Sequence, residues 1–253
     1  MKRAVLYVVI FIVFFSVSLL MGLPVSWVLQ QAPTVRGLDI QGANGSVWQG
    51  QASSIRWQRQ NLGEVNWDFQ WSSLLTGKAE FAVRFGRGSE MDVRGRGFVG
   101  YSLSDGPYAK NLVASIPAVK VVEQARLPVP VGVDGQLELN IRHATYAAPW
   151  CKNGEGTLVW NASGIQSPVG SLDLGPVIAD INCQDSVLTA TGEQSSKQVS
   201  AAFSAELMPN QRYSTKAWFK PGAEFPSSMG EQLKWLGKPN AQGQYEFNYQ
   251  GRF

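Results

Sequence analysis

Histidine, cysteine and charge are all scarce in this sequence, and each scarcity excludes a class of protein. One histidine, His143, and two cysteines, Cys151 and Cys183, are too few for a zinc site built from these ligands. No Gly-x-Ser-x-Gly motif supplies a hydrolase nucleophile beside His143. Charged residues make up 16% of the chain and the net charge is +3, without the basic stripe of a nucleic-acid-binding protein. We therefore predict a protein that is not an enzyme, with no catalytic, cofactor-binding or metal-binding residues.

One glycine motif resembles a nucleotide-binding loop but has the wrong context. It is the run Gly95-Arg96-Gly97-Phe98-Val99-Gly100. A dinucleotide-binding loop needs a helix directly after the glycines, and the following residues, 101–107, are rich in serine, glycine and proline. We assign these glycines to a strand that contains a β-bulge.

Long apolar runs are absent except at the amino terminus. Residues 4–23 carry no charge, and as a helix they would extend about 30 Å, the thickness of the hydrocarbon core of a bilayer. Lys2 and Arg3 precede the run, and positive charge marks the cytoplasmic side. The run therefore predicts one transmembrane helix, with the amino terminus in the cytoplasm and residues 24–253 outside.

A cleaved signal peptide is the alternative for this run. Such a peptide has an apolar stretch of about 7–15 residues followed by a small-x-small cleavage site. Here the run is longer, and Ser16 and Ser18 form the small-x-small pair inside it, before further leucines. Under either interpretation the body of the protein is exported.

The two cysteines fit an exported protein. An even pair in an oxidising compartment predicts a disulfide between Cys151 and Cys183, and two buried free thiols are the alternative. A closed loop of about 33 residues would stabilise the fold by about 3–4 kcal/mol in the chain-entropy model.

Alternation of apolar and polar side chains runs through most of the exported part. Val65, Trp67 and Phe69 alternate with Asn66 and Asp68, which is the pattern of a half-buried strand. Similar segments predict about a dozen strands in all, each bounded by turn residues. The main ones are 35–40, 46–57, 65–71, 79–85, 91–99, 137–141, 156–160, 178–183, 187–191, 199–207, 213–219 and 245–249.

Three segments have helical character. Residues 109–126 are the main helical candidate, but Pro117 interrupts them, so we expect a short turn followed by a helix over residues 118–125. Residues 72–77 predict one helical turn capped by Gly77. Met229, Leu233 and Leu236 have the spacing of a short amphipathic helix.

The predicted fold class is mainly β. It consists of a single N-terminal transmembrane helix followed by a curved, mostly antiparallel β domain with a few short helices. We divide the chain into residues 1–27 (cytoplasmic start and anchor), 28–34 (linker) and 35–253 (exported β domain). Gly45-Ser46-Val47-Trp48 is echoed by Gly156-Thr157-Leu158-Val159-Trp160, and this echo suggests two related β layers, 35–105 and 127–253.

Taken in order, these features resemble the type II secretion system protein N family. The matching pieces are the basic start and apolar run, Gly45-Ser46-Val47-Trp48-Gln49-Gly50-Gln51-Ala52, Leu127-Pro128-Val129-Pro130, Gly135-Gln136-Leu137-Glu138-Leu139, Trp150-Cys151, Asn182-Cys183 and the ending from Leu236-Gly237 to Gln250-Gly251. The resemblance implies a bacterial inner-membrane protein with a periplasmic domain that takes part in export of folded proteins across the outer membrane. It implies other secretion subunits as partners and transfers no catalytic residue.

The alternative function is a periplasmic β groove, anchored in the membrane, that binds or transfers lipid. Five of the nine tryptophans lie within residues 27–71. We interpret them as sheet core, while a ligand groove lined by the same rings is the alternative. This second function rests on fold analogy alone.

Overall fold

The structure, a computed structural model, describes residues 2–31, 37–58, 60–125 and 131–252. Within these ranges the chain forms one sheet of fifteen strands, four α-helices and two 3-10 helices. The helices are α1 (Lys2–Met21), α2 (Val25–Gln31), α3 (Ala118–Ala125) and α4 (Ser227–Gln232), with 3-10 helices over Trp71–Thr76 and Leu233–Leu236.

The strands follow one another along the chain with short turns. They are β1 (Leu38–Gly45), β2 (Gln49–Trp57), β3 (Gln60–Asn61), β4 (Glu64–Phe69), β5 (Lys78–Arg87), β6 (Arg94–Ser102), β7 (Gly106–Pro117), β8 (Gly132–Thr145), β9 (Asn153–Ser167), β10 (Gly170–Asp173), β11 (Val177–Gln184), β12 (Val187–Ser195), β13 (Val199–Leu207), β14 (Arg212–Pro221) and β15 (Tyr245–Arg252).

The sheet is an open antiparallel meander. Each strand pairs with the next along the chain, except that the short strands β3 and β10 pair only with β2 and β9 at the side of the main path. Because strands that follow closely in sequence pair through tight turns, no long crossover is needed. The prediction of a mainly antiparallel β fold with few short helices is confirmed. The curvature and the division into two layers stay predictions.

The Gly95–Gly100 motif lies inside β6, as predicted, and no helix follows it. Gly97 of β6 faces two residues of β7, Asn111 and Leu112, so the register shifts there. Asn111 has a positive φ of 46°, which marks it as the additional residue of the bulge. The bulge is therefore present at this strand pair, with its additional residue in β7.

One helix prediction was partly wrong. The helix over residues 118–125 is confirmed as α3, but residues 109–117 belong to β7 and do not form a turn. From Leu112 to Pro117 this segment pairs residue by residue with β8, and sheet pairing overrides its local helical preference. The capped turn before Gly77 is confirmed, with Gly77 at φ 70°. Trp71 begins that turn, so β4 ends at Phe69 and is shorter than predicted.

The amino-terminal helix α1 covers Lys2–Met21. Across the ranges that the structure describes, no helix is both long enough and apolar enough to cross a membrane. Residues 32–36 and 126–130 lie outside the described ranges. The boundary between linker and β domain and the run Leu127-Pro128-Val129-Pro130 therefore stay predictions.

The two faces of the sheet differ most clearly along β8. In β8, Leu137, Leu139 and Ile141 are half-buried, whereas Glu138 and Asn140 between them are exposed. Within the described ranges, the strands contact mainly their neighbouring strands. Helices also contact them at three places: α2 against β1, α3 against β7 and β8, and the 3-10 helix Trp71–Thr76 against β5. The buried apolar residues include Phe69 and Ala179 of the sheet, together with Val25 of α2 and Ala118 of α3.

Candidate functional site

Nine consecutive strands of the sheet place mainly apolar residues on one side, and Gln194 of β12 lies among them in the row of Ala201. We call this surface the apolar face. Three residues from each strand form it, and the strand register sets them side by side. They are Val65, Trp67, Phe69, Phe81, Val83, Phe85, Gly95, Gly97, Val99, Leu112, Ala114, Ile116, Leu137, Leu139, Ile141, Gly156, Leu158, Trp160, Val177, Ala179, Ile181, Leu188, Ala190, Gly192, Ala201, Phe203 and Ala205.

On this face, aromatic rings fill the space beside several glycines. The ring of Phe85 covers the position where a side chain on Gly95 would project, and the ring of Phe203 does the same for Gly192. At Gly97 an added Cβ would lie 2.5 Å from the Cα of Leu112, so this position admits only glycine without a shift. These pairs make glycine part of the packing of the face.

One polar side chain shares the face: Gln194 of β12 lies opposite Ala201, and within the described ranges its Oε1 is buried without a hydrogen-bond partner. Trp67 and Trp160 also carry N–H groups on the face, and both are used within the fold. The indole of Trp160 donates to the Asp134 carbonyl at 2.8 Å, and that of Trp67 donates to the carbonyls of Ser46 and Val47 at 3.2 and 3.1 Å. Away from Gln194, a ligand on this face would therefore meet hydrocarbon and ring surfaces.

One end of the apolar face meets the end of α1. The indole of Trp48 donates a hydrogen bond to the Leu20 carbonyl at 2.7 Å, and the Val47 amide donates to the Leu23 carbonyl at 3.0 Å. The Trp48 ring lies 4.9 Å from that of Phe69. Phe69 in turn lies 5.0 Å from Phe81 of the apolar face. A chain of aromatic contacts thus joins the apolar helix to the sheet.

The opposite side, which we call the polar face, carries an open depression of about 850 Å³. Arg84 and Arg96 are direct neighbours across β5 and β6 there, with Asp68 and Asn66 on β4 beside them. Two like charges side by side repel each other, although solvent screens exposed pairs. The depression is a polar surface suited to acidic or amide groups of a partner.

Glu80 is the exception on the polar face, because it is only 3% exposed. Lys110 lies 2.8 Å from its carboxylate, Tyr108 donates to it at 2.7 Å and Ser73 at 3.2 Å. Burial raises the pKa of the Glu80 carboxyl, but the hydrogen bonds from Lys110 and Tyr108 outweigh burial and hold this pKa below its usual value of 4.5. Burial and the bond to Glu80 raise the pKa of Tyr108. Sequence patterns gave no signal for this cluster, since cross-strand register alone assembles it.

The two cysteines are joined. Cys151 and Cys183 form a disulfide with their Cα atoms 6.3 Å apart. The Ser186 hydroxyl donates to the Cys151 carbonyl at 3.1 Å and ties the turn after β11 to the segment before β9. Cys183 continues the row of Val177, Ala179 and Ile181, so the bridge lies at the margin of the apolar face.

His143 lies exposed in β8, in register with Lys110 and Glu155. Across the described ranges, no three acidic, histidine or cysteine residues come together as a metal site. Of the clustered tryptophans, Trp48, Trp67 and Trp71 lie on or beside the apolar face, whereas Trp27 belongs to α2 and Trp57 ends β2. Because Trp71 is 46% exposed, the core interpretation fits two of the five, the half-buried Trp48 and Trp67.

Comparison with known proteins gives a consistent result over the whole chain. Residues 36–248 match the family model of type II secretion system protein N. The chain is 46% identical over 252 residues to the type II secretion system protein N of Vibrio cholerae serotype O1, with both chains fully covered. It is 33% identical over 255 residues to that of Aeromonas hydrophila, again over both full chains, and 27% identical to that of Pectobacterium carotovorum over 88% of each. No solved structure matches the chain.

Proposed function

Since the chain belongs to the type II secretion system protein N family, we propose that it is an inner-membrane accessory component of a type II secretion system. In this proposal it acts by binding other subunits, without catalysis, during export of folded proteins across the outer membrane. The observation that carries it is the full-length similarity to a protein of that name.

The proposed anchor is the helix α1, with the amino terminus in the cytoplasm and the sheet in the periplasm. Its support is the charge-free run of residues 4–23 behind Lys2 and Arg3. The large apolar side chains of α1 also do not pack on the sheet: Phe11 is 69% exposed and Phe14 75%. Extraction of membranes with alkaline carbonate should leave the chain in the membrane pellet. Release into the supernatant would contradict the anchor.

The proposed subunit contact is the free edge of β15. This strand pairs with β14 only within the described ranges, so its outer backbone groups can accept a strand from a partner. Tyr245–Arg252 contains no proline or lysine, the residues that commonly block edge pairing. The edge of β1, in contrast, lies next to α2 and to the bridge between Pro24 and Ser46.

Two experiments test this function. In a strain with an in-frame deletion of the chain, a normally secreted folded enzyme should accumulate in the periplasm, and the intact chain should restore its secretion. Unchanged secretion would contradict the proposal.

The second experiment places a photoreactive amino acid at Asn248 on the edge strand β15. Asn140 in β8, on the same face in the middle of the sheet, is the matched control. Irradiation should link position 248, but not position 140, to another component of the secretion machine. Equal linkage at both positions, or none at 248, would exclude the edge as the contact.

A further inference from the structure

We propose that the apolar face binds the acyl chains of membrane lipids, which reach it at the end of α1. This inference concerns a ligand site and does not depend on the role in secretion. It rests on three observations: the size of the face, the scarcity of free polar groups on it (Gln194 alone among its described neighbours), and its continuity with the apolar helix.

The face is too large to be explained as single apolar side chains scattered over the protein surface. Nine strands at about 4.8 Å spacing place its outermost rows about 38 Å apart. A single acyl chain in one leaflet of a bilayer occupies about 15 Å of depth. Most residues of the face are half-buried, so water still reaches them, and contiguous apolar surface of this extent marks an interaction site. The face can accommodate a whole acyl chain with room to move along it.

The chemistry of the face favours acyl chains over peptides and sugars. None of its twenty-seven residues carries a free hydrogen-bonding side chain, because the indoles of Trp67 and Trp160 are already bonded within the fold. A bound peptide or sugar would lose water from its polar groups without replacement, which costs about 1–3 kcal/mol for each group. An acyl chain has no such groups.

The route to the face begins at α1. Trp48 is hydrogen-bonded to the last turn of that helix and packs edge-to-face against Phe69 of the face. Trp71 packs on both of these rings at 4.9 Å. Apolar surface is therefore continuous from the helix to β4, and from there along the rows to β13. A lipid leaving the vicinity of the helix need not expose its chains to water.

The test uses the full-length chain in its own membranes, with an alkyl diazirine amino acid placed at single positions. Leu139 and Leu158 are neighbours on the apolar face, and Asn140 and Val159 lie directly beside them on the polar face. After irradiation, mass spectrometry of fragments from residues 131–252 identifies the adducts, so lipid contacts of α1 are not counted. We expect phospholipid adducts at 139 and 158, about tenfold more abundant than at 140 and 159.

Three outcomes would overturn the proposal. A product of twice the chain mass from position 139 would show that a second copy covers the face, and a product with another protein would show a protein partner. Lipid adducts that are equally abundant at positions 139 and 140 would show non-specific contact.

A second measurement uses no cross-linker. The double variant Leu139→Asp, Leu158→Asp should carry about tenfold less phospholipid per chain than Asn140→Asp after purification in mild detergent. Protease resistance of the sheet checks that the variants are folded. If the double variant does not fold, the cross-linking result alone decides.

Discussion

The two faces of the sheet are built from the same strands and share one backbone, yet they differ in almost every physical respect. On the apolar face, twenty-seven residues in register are half-buried or buried. On the polar face, charged side chains such as Arg84, Arg96 and Glu138 are exposed, whereas Phe98 and Val159 are half-buried. Glu80 is buried there, with three groups hydrogen-bonded to it. The difference shows that this sheet concentrates its apolar side chains on one side, where they shield one another.

The strongest test of this contrast is a charge placed on each face in turn. Leu139→Asp removes a half-buried leucine and places a carboxylate among Ala114 and Leu158, its cross-strand neighbours. We expect it to lower the free energy of unfolding by about 4 kcal/mol. Asn140→Asp, one residue further along, should change it by less than about 0.5 kcal/mol. Urea unfolding followed by tryptophan fluorescence measures both, and similar values would contradict the two-face description.

Removal of the disulfide tests how far the apolar face depends on a covalent link. The bridge closes a loop of 32 residues in sequence separation. Replacing both cysteines by serine should lower the free energy of unfolding by about 3–4 kcal/mol. The loss should concentrate in β9 and β11, because strands β1 to β7 contain no cross-link. Hydrogen exchange resolved by segment is the measurement, and uniform loss of protection along the sheet would contradict this assignment.

A methyl group at Gly97 tests the packing of the apolar face. Gly97→Ala would place a Cβ 2.5 Å from the Cα of Leu112, and backbone must move to accommodate it. We expect a loss of about 2 kcal/mol in the free energy of unfolding. Gly164→Ala in β9 is the matched control, because its nearest neighbour would be a side-chain atom of Asp134 at 3.5 Å. Thermal unfolding of the two variants compares them, and an equal shift would reject the packing argument.

The smallest expected effect concerns Glu80, the buried exception on the polar face. Because its pKa in the folded protein is held below 4.5, the ionised carboxylate stabilises the fold above that pH. This contribution is lost as the pH falls through the lowered pKa. Glu80→Gln should cost about 1–2 kcal/mol at pH 7 and should flatten the dependence of stability on pH below 4.5. An unchanged acid profile in the variant would show that another carboxylate controls it.

Much of the fold was predictable because the strands alternate. Val65, Trp67 and Phe69 alternate at period two, and that pattern requires a strand with one buried side whatever its neighbours are. The segment 109–117 shows where this reasoning fails. Its residues are compatible with a helix, and only pairing with β8 on one side and β6 on the other makes it a strand.

Local sequence therefore determined the apolar helix at the amino terminus, the antiparallel β class, the cysteine pair and the family resemblance, because each depends on residue type and spacing along the chain. Tertiary structure alone decided that the apolar rows of nine strands align into one continuous face, that Trp48 joins this face to α1, and that Lys110 and Tyr108 meet Glu80. The physical reason is register: a shift of one residue in any strand pair would reverse which side chains share a face.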